Sequence, residues 1–263
     1  MRPMLALLAL ASFAMSCGQS NESETKNTGS AVGLQKVKSA LALYIGTNDS
    51  IERCTGQFLT PRTLITAAHC LPAKRLAFYV EVRDNSGNLL LEGIKGMFGM
   101  NTVGAIVHPD YRAVSDPSKM FSDIALITFT SAIDKSFVAV VDYDSKADRG
   151  SEVYFAGFGF ANQLKQSGAG VKRYMENKID LRDGFIALSG RLQANKDSWK
   201  DGAVAGGDSG GMLYDKSTGK GIGLAAWVNA DQAKNSMKSY FTDLSLPQNK
   251  QWIQKTSPID NLR

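Results

Sequence analysis

From Ala40 onward, apolar residues fall in short runs, several of them alternating with polar positions, and each run is closed by Gly, Asn, Asp or Ser. LALYIG (41–46), LAFYVEV (76–82), GAIVHP (104–109), IALITF (124–129), EVYFAGFG (152–159) and GIGLAAWV (221–228) are examples. Successive side chains of a strand point to opposite faces, so short runs bounded by turn-forming residues read as strands. No long pattern of 3.6-residue period lies between them, which predicts an all-β barrel or sandwich and not βαβ units. One helix is predicted, at the end of the chain, where Trp252 and Ile253 follow Pro247 in LPQNKQWIQK. No repeat of fixed period is visible. Asp84-Asn85-Ser86-Gly87-Asn88 reads as a tight turn between two strands. It lacks the alternating acids and terminal Glu of a calcium loop, and no metal is assigned to it.

The start of the chain breaks this pattern. Met4 to Ala14 (MLALLALASFA) is apolar without alternation, follows Arg2, and is too short for a stable membrane span. Residues 1–16 therefore read as a signal peptide. Ala14-Met15-Ser16-Cys17 resembles a bacterial lipobox, in which Cys17 would be lipidated, although Leu is usual at Ala14 and a smaller residue at Met15. Plain secretion with cleavage nearby is the other reading. Residues 17–30 include GQSNESETKNTGS, which has no apolar residue, and read as a flexible tether or propeptide. Residues 31–263 remain for the folded unit.

With 43% hydrophobic residues and 25 Gly in 263 positions, the chain suits one large β-rich domain or two small ones packed together. The net charge of +5 is scattered and no basic cluster is interleaved with aromatics, which argues against a nucleic-acid face. If Cys17 carries lipid, Cys54 and Cys70 remain as a pair. A bridge between them would close a loop of about fifteen residues and contribute about 3 kcal/mol. Two separate buried thiols are the alternative. With two His and no Cys-x-x-Cys, a zinc site is disfavoured.

Three segments carry candidate chemistry. LITAAHCL (64–71) places His69 after a β-rich run, FSDIALITF (121–129) places Asp123 before an apolar strand, and Gly207-Asp208-Ser209-Gly210-Gly211 follows much later. Singly, each has a structural explanation: a packed His, a turn Asp, a glycine loop. Together and in this order, TAAHC, DIAL and GDSGG resemble the His, Asp and Ser motifs of trypsin-like serine proteases. The gaps of 54 and 86 residues also resemble that family's. Ala156-Gly157-Phe158-Gly159 resembles the turn that opens its second barrel. Val107-His108-Pro109 resembles a segment ahead of its Asp, which makes His108 structural.

The resemblance implies two packed six-stranded antiparallel Greek-key β-barrels with a short C-terminal helix, all-β in class. It implies a serine endopeptidase that works without a cofactor, through an acyl-enzyme on Ser209, with His69 as base and Asp123 orienting it. Gly207 and Ser209 would supply the oxyanion hole, and Asp208 would be the activation-linked acid. Cys54 and Cys70 would form the disulfide beside the catalytic His. The partners implied are protein or peptide substrates and a proteinaceous inhibitor, with no nucleic acid. The chain would be a monomer that meets a membrane only through lipidated Cys17. A bacterial exported form is expected, either an outer-membrane lipoprotein or secreted.

Departures from the family pattern are specific. Neither Asn27-Thr28-Gly29-Ser30 nor Ala31-Val32-Gly33-Leu34 matches the aliphatic segment whose freed α-amine pairs with the acid before Ser209. The pocket-bracing disulfide is absent, and Met212 replaces a usual Pro. Ala203 falls where enzymes cutting after Lys or Arg carry an acid, with Asp201 two residues off. Trp227, Val228 and Ser239 fall on the pocket walls. Val and Ser in place of glycines predict a narrow pocket for small apolar side chains. The rival expectation is a catalytically silent or zymogen-like surface-tethered binding protein with a protease fold.

Overall fold

The computed structural model describes residues 37–47, 50–72, 78–95, 103–112, 121–161, 166–191 and 202–257. The signal-peptide segment, the tether, Cys17 and Asp201 lie outside them. The first sheet is built from β1 (Leu41–Gly46), β2 (Ile51–Phe58), β3 (Thr63–Thr66), β4 (Phe78–Arg83), β5 (Leu89–Lys95), β6 (Val103–Val107) and β7 (Ala125–Phe129). The second holds β8 (Glu152–Gly157), β9 (Arg173–Lys178), β10 (Leu181–Arg182), β11 (Phe185–Arg191), β12 (Met212–Asp215), β13 (Gly221–Asp231) and β14 (Ser236–Asp243). Helix α1 (Pro247–Thr256) follows.

Both sheets are antiparallel and curl. The first runs β5-β4-β1-β2-β3-β7-β6, so β4 returns to lie beside β1, the Greek-key arrangement. Its edge strands β5 and β6 come into contact, as do β9 and β11 across the open side of the second sheet. Among the described residues each sheet has seven strands where six are expected. The extra members have local causes. β5 and β6 are consecutive in the chain, form the two opposite edges of the first sheet and meet each other there. β10 is only two residues long, set by a tight turn in which Gly184 has φ +70°.

Alternation does much of this work. In β4, Phe78, Val80 and Val82 are buried while Tyr79, Glu81 and Arg83 face outward. The Asp84–Asn88 turn is as expected: the Asp84 carboxylate accepts the Ser86 and Asn88 N–H groups at 2.8 and 2.9 Å, and Gly87 has φ +81°. Leu43, Phe58, Val80 and Ile127 belong to a core inside the first barrel; Phe155, Ile186, Leu213 and Phe241 belong to one inside the second. A third cluster lies between them. It joins Ile65, Ile124 and Leu126 to Ala156, Met212 and Leu224, with Ile253 of α1. Pro at the first turn of α1 suits a helix start, because the missing N–H there has no intrahelical partner to lose.

Candidate active site

Asp123 is fully buried immediately ahead of β7. Its Oδ2 lies 2.6 Å from His69 Nδ1, and its Oδ1 accepts the His69 backbone N–H at 3.0 Å. The carboxylate thus grips both the ring and the main chain of His69, which sits in a one-turn 3-10 helix, Ala68–Cys70. Burial by itself disfavours the imidazolium, but the hydrogen bond and charge of Asp123, aided by Glu52, outweigh it and raise the His69 pKa above 6.5. The Cys54–Cys70 disulfide ties this turn to β2, with Cα atoms 6.4 Å apart.

Asn249 of α1 braces the segment before Asp123. It donates to the Phe121 and Asp243 carbonyls at 2.7 and 2.8 Å and accepts the Ser122 hydroxyl at 3.0 Å. His108 is buried against Trp252, with ring centroids 4.8 Å apart, and its Nδ1 accepts the Asp110 N–H. Its place is structural, as expected.

The loop 205–211 closes on itself and on β13 through main-chain bonds. The N–H groups of Asp208, Gly210 and Gly211 donate to the carbonyls of Ala205, Ala225 and Asp208 at 3.0, 2.7 and 2.9 Å. Among the described residues, the N–H groups of Gly207 and Ser209 have no protein acceptor. Gly207 has φ +93°, a conformation that a side chain would strain. Asp208 points inward: Oδ1 accepts the Gly159 N–H at 2.7 Å and Oδ2 the Ala205 N–H at 2.8 Å. Burial raises its pKa to about 6, against the opposing pull of those two bonds and the nearby charge of Arg173.

His69 and Ser209 line one cavity of about 290 Å³ with Val204, Ala205, Gly206, Ala225, Ala226, Trp227 and Val228. Among the described residues no hydrogen bond joins the two side chains; such contacts often tighten only when substrate binds. Apart from His69 and Ser209, the lining is apolar or glycine. A bulge between Ala225 and Trp227 in β13 re-aims the strand here. Trp227 and Val228, just past the bulge, line the cavity. Ala203 does not line the cavity. Ser239 is fully buried opposite Val228 in the β13–β14 register, and its hydroxyl accepts the Val204 N–H at 3.0 Å. Thr55, Asn249 and Arg173 have no counterpart among the residues expected from the sequence.

The family model described as Trypsin matches residues 29–253. Alkaline trypsin C of Manduca sexta is 26% identical over 245 residues, covering 86% of this chain and 90% of that protein. Alkaline trypsin B of the same insect matches to the same extent. Among solved structures, neuropsin, a serine protease expressed in the limbic system of mouse brain, superposes with a TM-score of 0.61 at 20% identity. That match covers 86% of this chain and 96% of neuropsin. With the family model spanning most of the chain and the fold matching, this protein belongs to the trypsin family of serine proteases.

Proposed function

We propose that the protein is a serine endopeptidase with Ser209 as nucleophile, His69 as general base and Asp123 as the group that orients His69. The observation that carries the proposal is the buried Asp123 carboxylate holding His69 by both Nδ1 and the backbone N–H, with His69 and Ser209 on one cavity. A Ser hydroxyl is a poor nucleophile until a base accepts its proton, and a neutral imidazole does so near neutral pH. Asp123 keeps the proton of the resting ring on Nδ1, leaving Nε2 to take the Ser209 proton as Oγ bonds to the scissile carbonyl carbon. The negative charge that develops on the carbonyl oxygen meets the unbonded N–H groups of Gly207 and Ser209, each such donor being worth roughly 3 kcal/mol in the transition state. His69 then returns the proton to the leaving amine, and water, activated in the same way, hydrolyses the acyl-enzyme.

The apolar cavity supports a preference for small apolar side chains at the cleaved bond, with Val228 narrowing the entrance and no acid among the lining residues. We further propose the exported bacterial form: residues 1–16 removed, residues 17–30 a tether or propeptide, and residues 31–263 the protease domain, monomeric and anchored, if at all, through lipid on Cys17. Asp208 is the acid to which a freed α-amine would pair in such a form.

Residues 27–263, purified, should react with a fluorophosphonate probe, and Ser209→Ala should abolish labelling. Equal labelling of both, or none of either before and after limited proteolysis, would sink the peptidase and favour a silent binding protein with this fold. A peptide-library cleavage profile tests the pocket; dominant cleavage after Lys or Arg overturns the small-apolar preference.

A further inference from the structure

Thr55 follows Cys54 on β2 of the first barrel, is wholly buried, and touches the second barrel at three points. Its Oγ1 lies 3.0 Å from the Gly207 carbonyl and 3.2 Å from the Phe158 N–H. Its backbone N–H donates to the Ser209 carbonyl at 2.8 Å. From its own barrel, the Thr66 hydroxyl donates to the Thr55 carbonyl at 3.0 Å. The direction of each Oγ1 bond is forced by chemistry. A carbonyl can only accept and an N–H can only donate, so the hydroxyl gives its one proton to Gly207 and accepts from Phe158.

We propose that Thr55 is a positioning residue for acyl transfer: its hydroxyl fixes the Gly207–Asp208 peptide, the unit between the two peptides that carry the Gly207 and Ser209 N–H groups, so that these two groups stay turned toward the reacting carbonyl. The proposal rests on the assignment of those two groups as oxyanion donors. Gly206 and Gly207 carry no Cβ, and Gly207 already occupies the left-handed region at φ +93°. The main chain just before Asp208 therefore has little steric restraint of its own on peptide rotation. An external acceptor–donor pair supplies that restraint. Rotating the Gly207 carbonyl away from Thr55 would leave the proton of a fully buried hydroxyl and a half-buried carbonyl without partners, which costs stability. The same hydroxyl holds the Phe158 backbone, beside the Gly159 N–H that secures Asp208. The loop is thus referenced to β2, the strand whose Cys54 is bridged to the turn bearing His69.

A purely structural bond between barrels would change stability and leave the chemistry of the folded enzyme alone. The test separates these roles. Thr55→Val keeps the shape and removes the hydroxyl; Thr55→Ser keeps the hydroxyl; Thr55→Ala is a second deletion should the valine variant not fold. Hydrolysis of a tri-alanine p-nitroanilide is measured with the fluorophosphonate labelling rate and the melting temperature. Expected for Thr55→Val or Thr55→Ala is a fall in kcat of about tenfold or more with KM changed less than about twofold, and a parallel fall in labelling rate. Thr55→Ser should recover kcat to within about threefold of the parent. A deletion variant with parental kcat, or a Thr55→Ser variant as slow as Thr55→Val, overturns the positioning role while leaving the peptidase assignment intact. A parent chain that neither hydrolyses nor labels refutes both.

Discussion

Gly159→Ala tests how the loop bearing Ser209 is anchored. A Cβ built on Gly159 would lie 2.5 Å from Asp208 Cγ and 2.7 Å from each carboxylate oxygen. Ordinary van der Waals contact begins near 3.4 Å, so the carboxylate must retreat by about 1 Å. It has nowhere equivalent to go. Its two bonds, 2.7 Å to the Gly159 N–H and 2.8 Å to the Ala205 N–H, cannot both survive such a shift. Hydrogen bonds to a charged group contribute about 1.5–3 kcal/mol each, so the variant should lose about 3–5 kcal/mol. For a chain of this size about 1 kcal/mol corresponds to roughly 2–4 °C, which puts the melting temperature lower by roughly 10 °C. Thermal unfolding is followed beside Gly104→Ala, whose new Cβ meets only Thr128 at 3.9 Å. Fluorophosphonate labelling of both variants at a temperature where both are folded reads the loop itself. If Gly159→Ala melts with Gly104→Ala and labels at the same rate, the Asp208 anchor does not hold the loop as described.

Because Asp123 raises the His69 pKa above 6.5, kcat/KM should fall as pH drops through that raised value; an acid limb centred below about pH 6 refutes the pairing. The stability linked to that shift is complete below the unfolded value near 6.5 and lost as pH rises through the folded one, which thermal unfolding with and without Asp123→Asn resolves. Replacing Cys54 and Cys70 together by Ala removes a cross-link of sequence separation 16 and should cost about 3 kcal/mol in denaturant unfolding; a loss under about 1 kcal/mol contradicts the loop-closure estimate. Val228→Gly should widen the cavity and raise kcat/KM for a Phe substrate relative to an Ala substrate by about tenfold, and an unchanged ratio removes Val228 from the pocket wall.

The pairing of His69 with Asp123 and the place of Ser209 on the same cavity were legible because each residue stands inside a contiguous motif, and the three motifs come in a family-like order. The Cys54–Cys70 bridge was legible because these two cysteines remain as a pair once Cys17 is set aside, and the resemblance joins them. Thr55 and Asn249 were not. Thr55 meets Gly207 across 152 residues and Asn249 meets Ser122 across 127, and nothing in the local pattern around either announces the partner. Ser239 shows a subtler limit. The resemblance puts it on the pocket wall, and its hydroxyl is taken by the amide of Val204, which lines the cavity. Period-two alternation says which face a residue occupies and not what packs over it. The seventh strand of the second sheet escaped because a two-residue pairing, Leu181–Arg182, leaves no hydrophobic signature. The helix at Pro247 was legible through a residue that favours one position in a helix above others.

The shared cluster between the barrels also sets a clock. Its members run from Val37 to Ile253, so during synthesis the first barrel can close long before the residues that cover its inner flank exist. Until α1 has left the ribosome, Ile65, Ile124 and Leu126 lack the Ile253 contact, and the wall of the cavity that includes Ser209 is made after the wall that includes His69. A nascent chain that ends before Val204 therefore carries half a site. Synthesis of β13, which carries Ala225 to Val228, becomes the event that assembles the whole one.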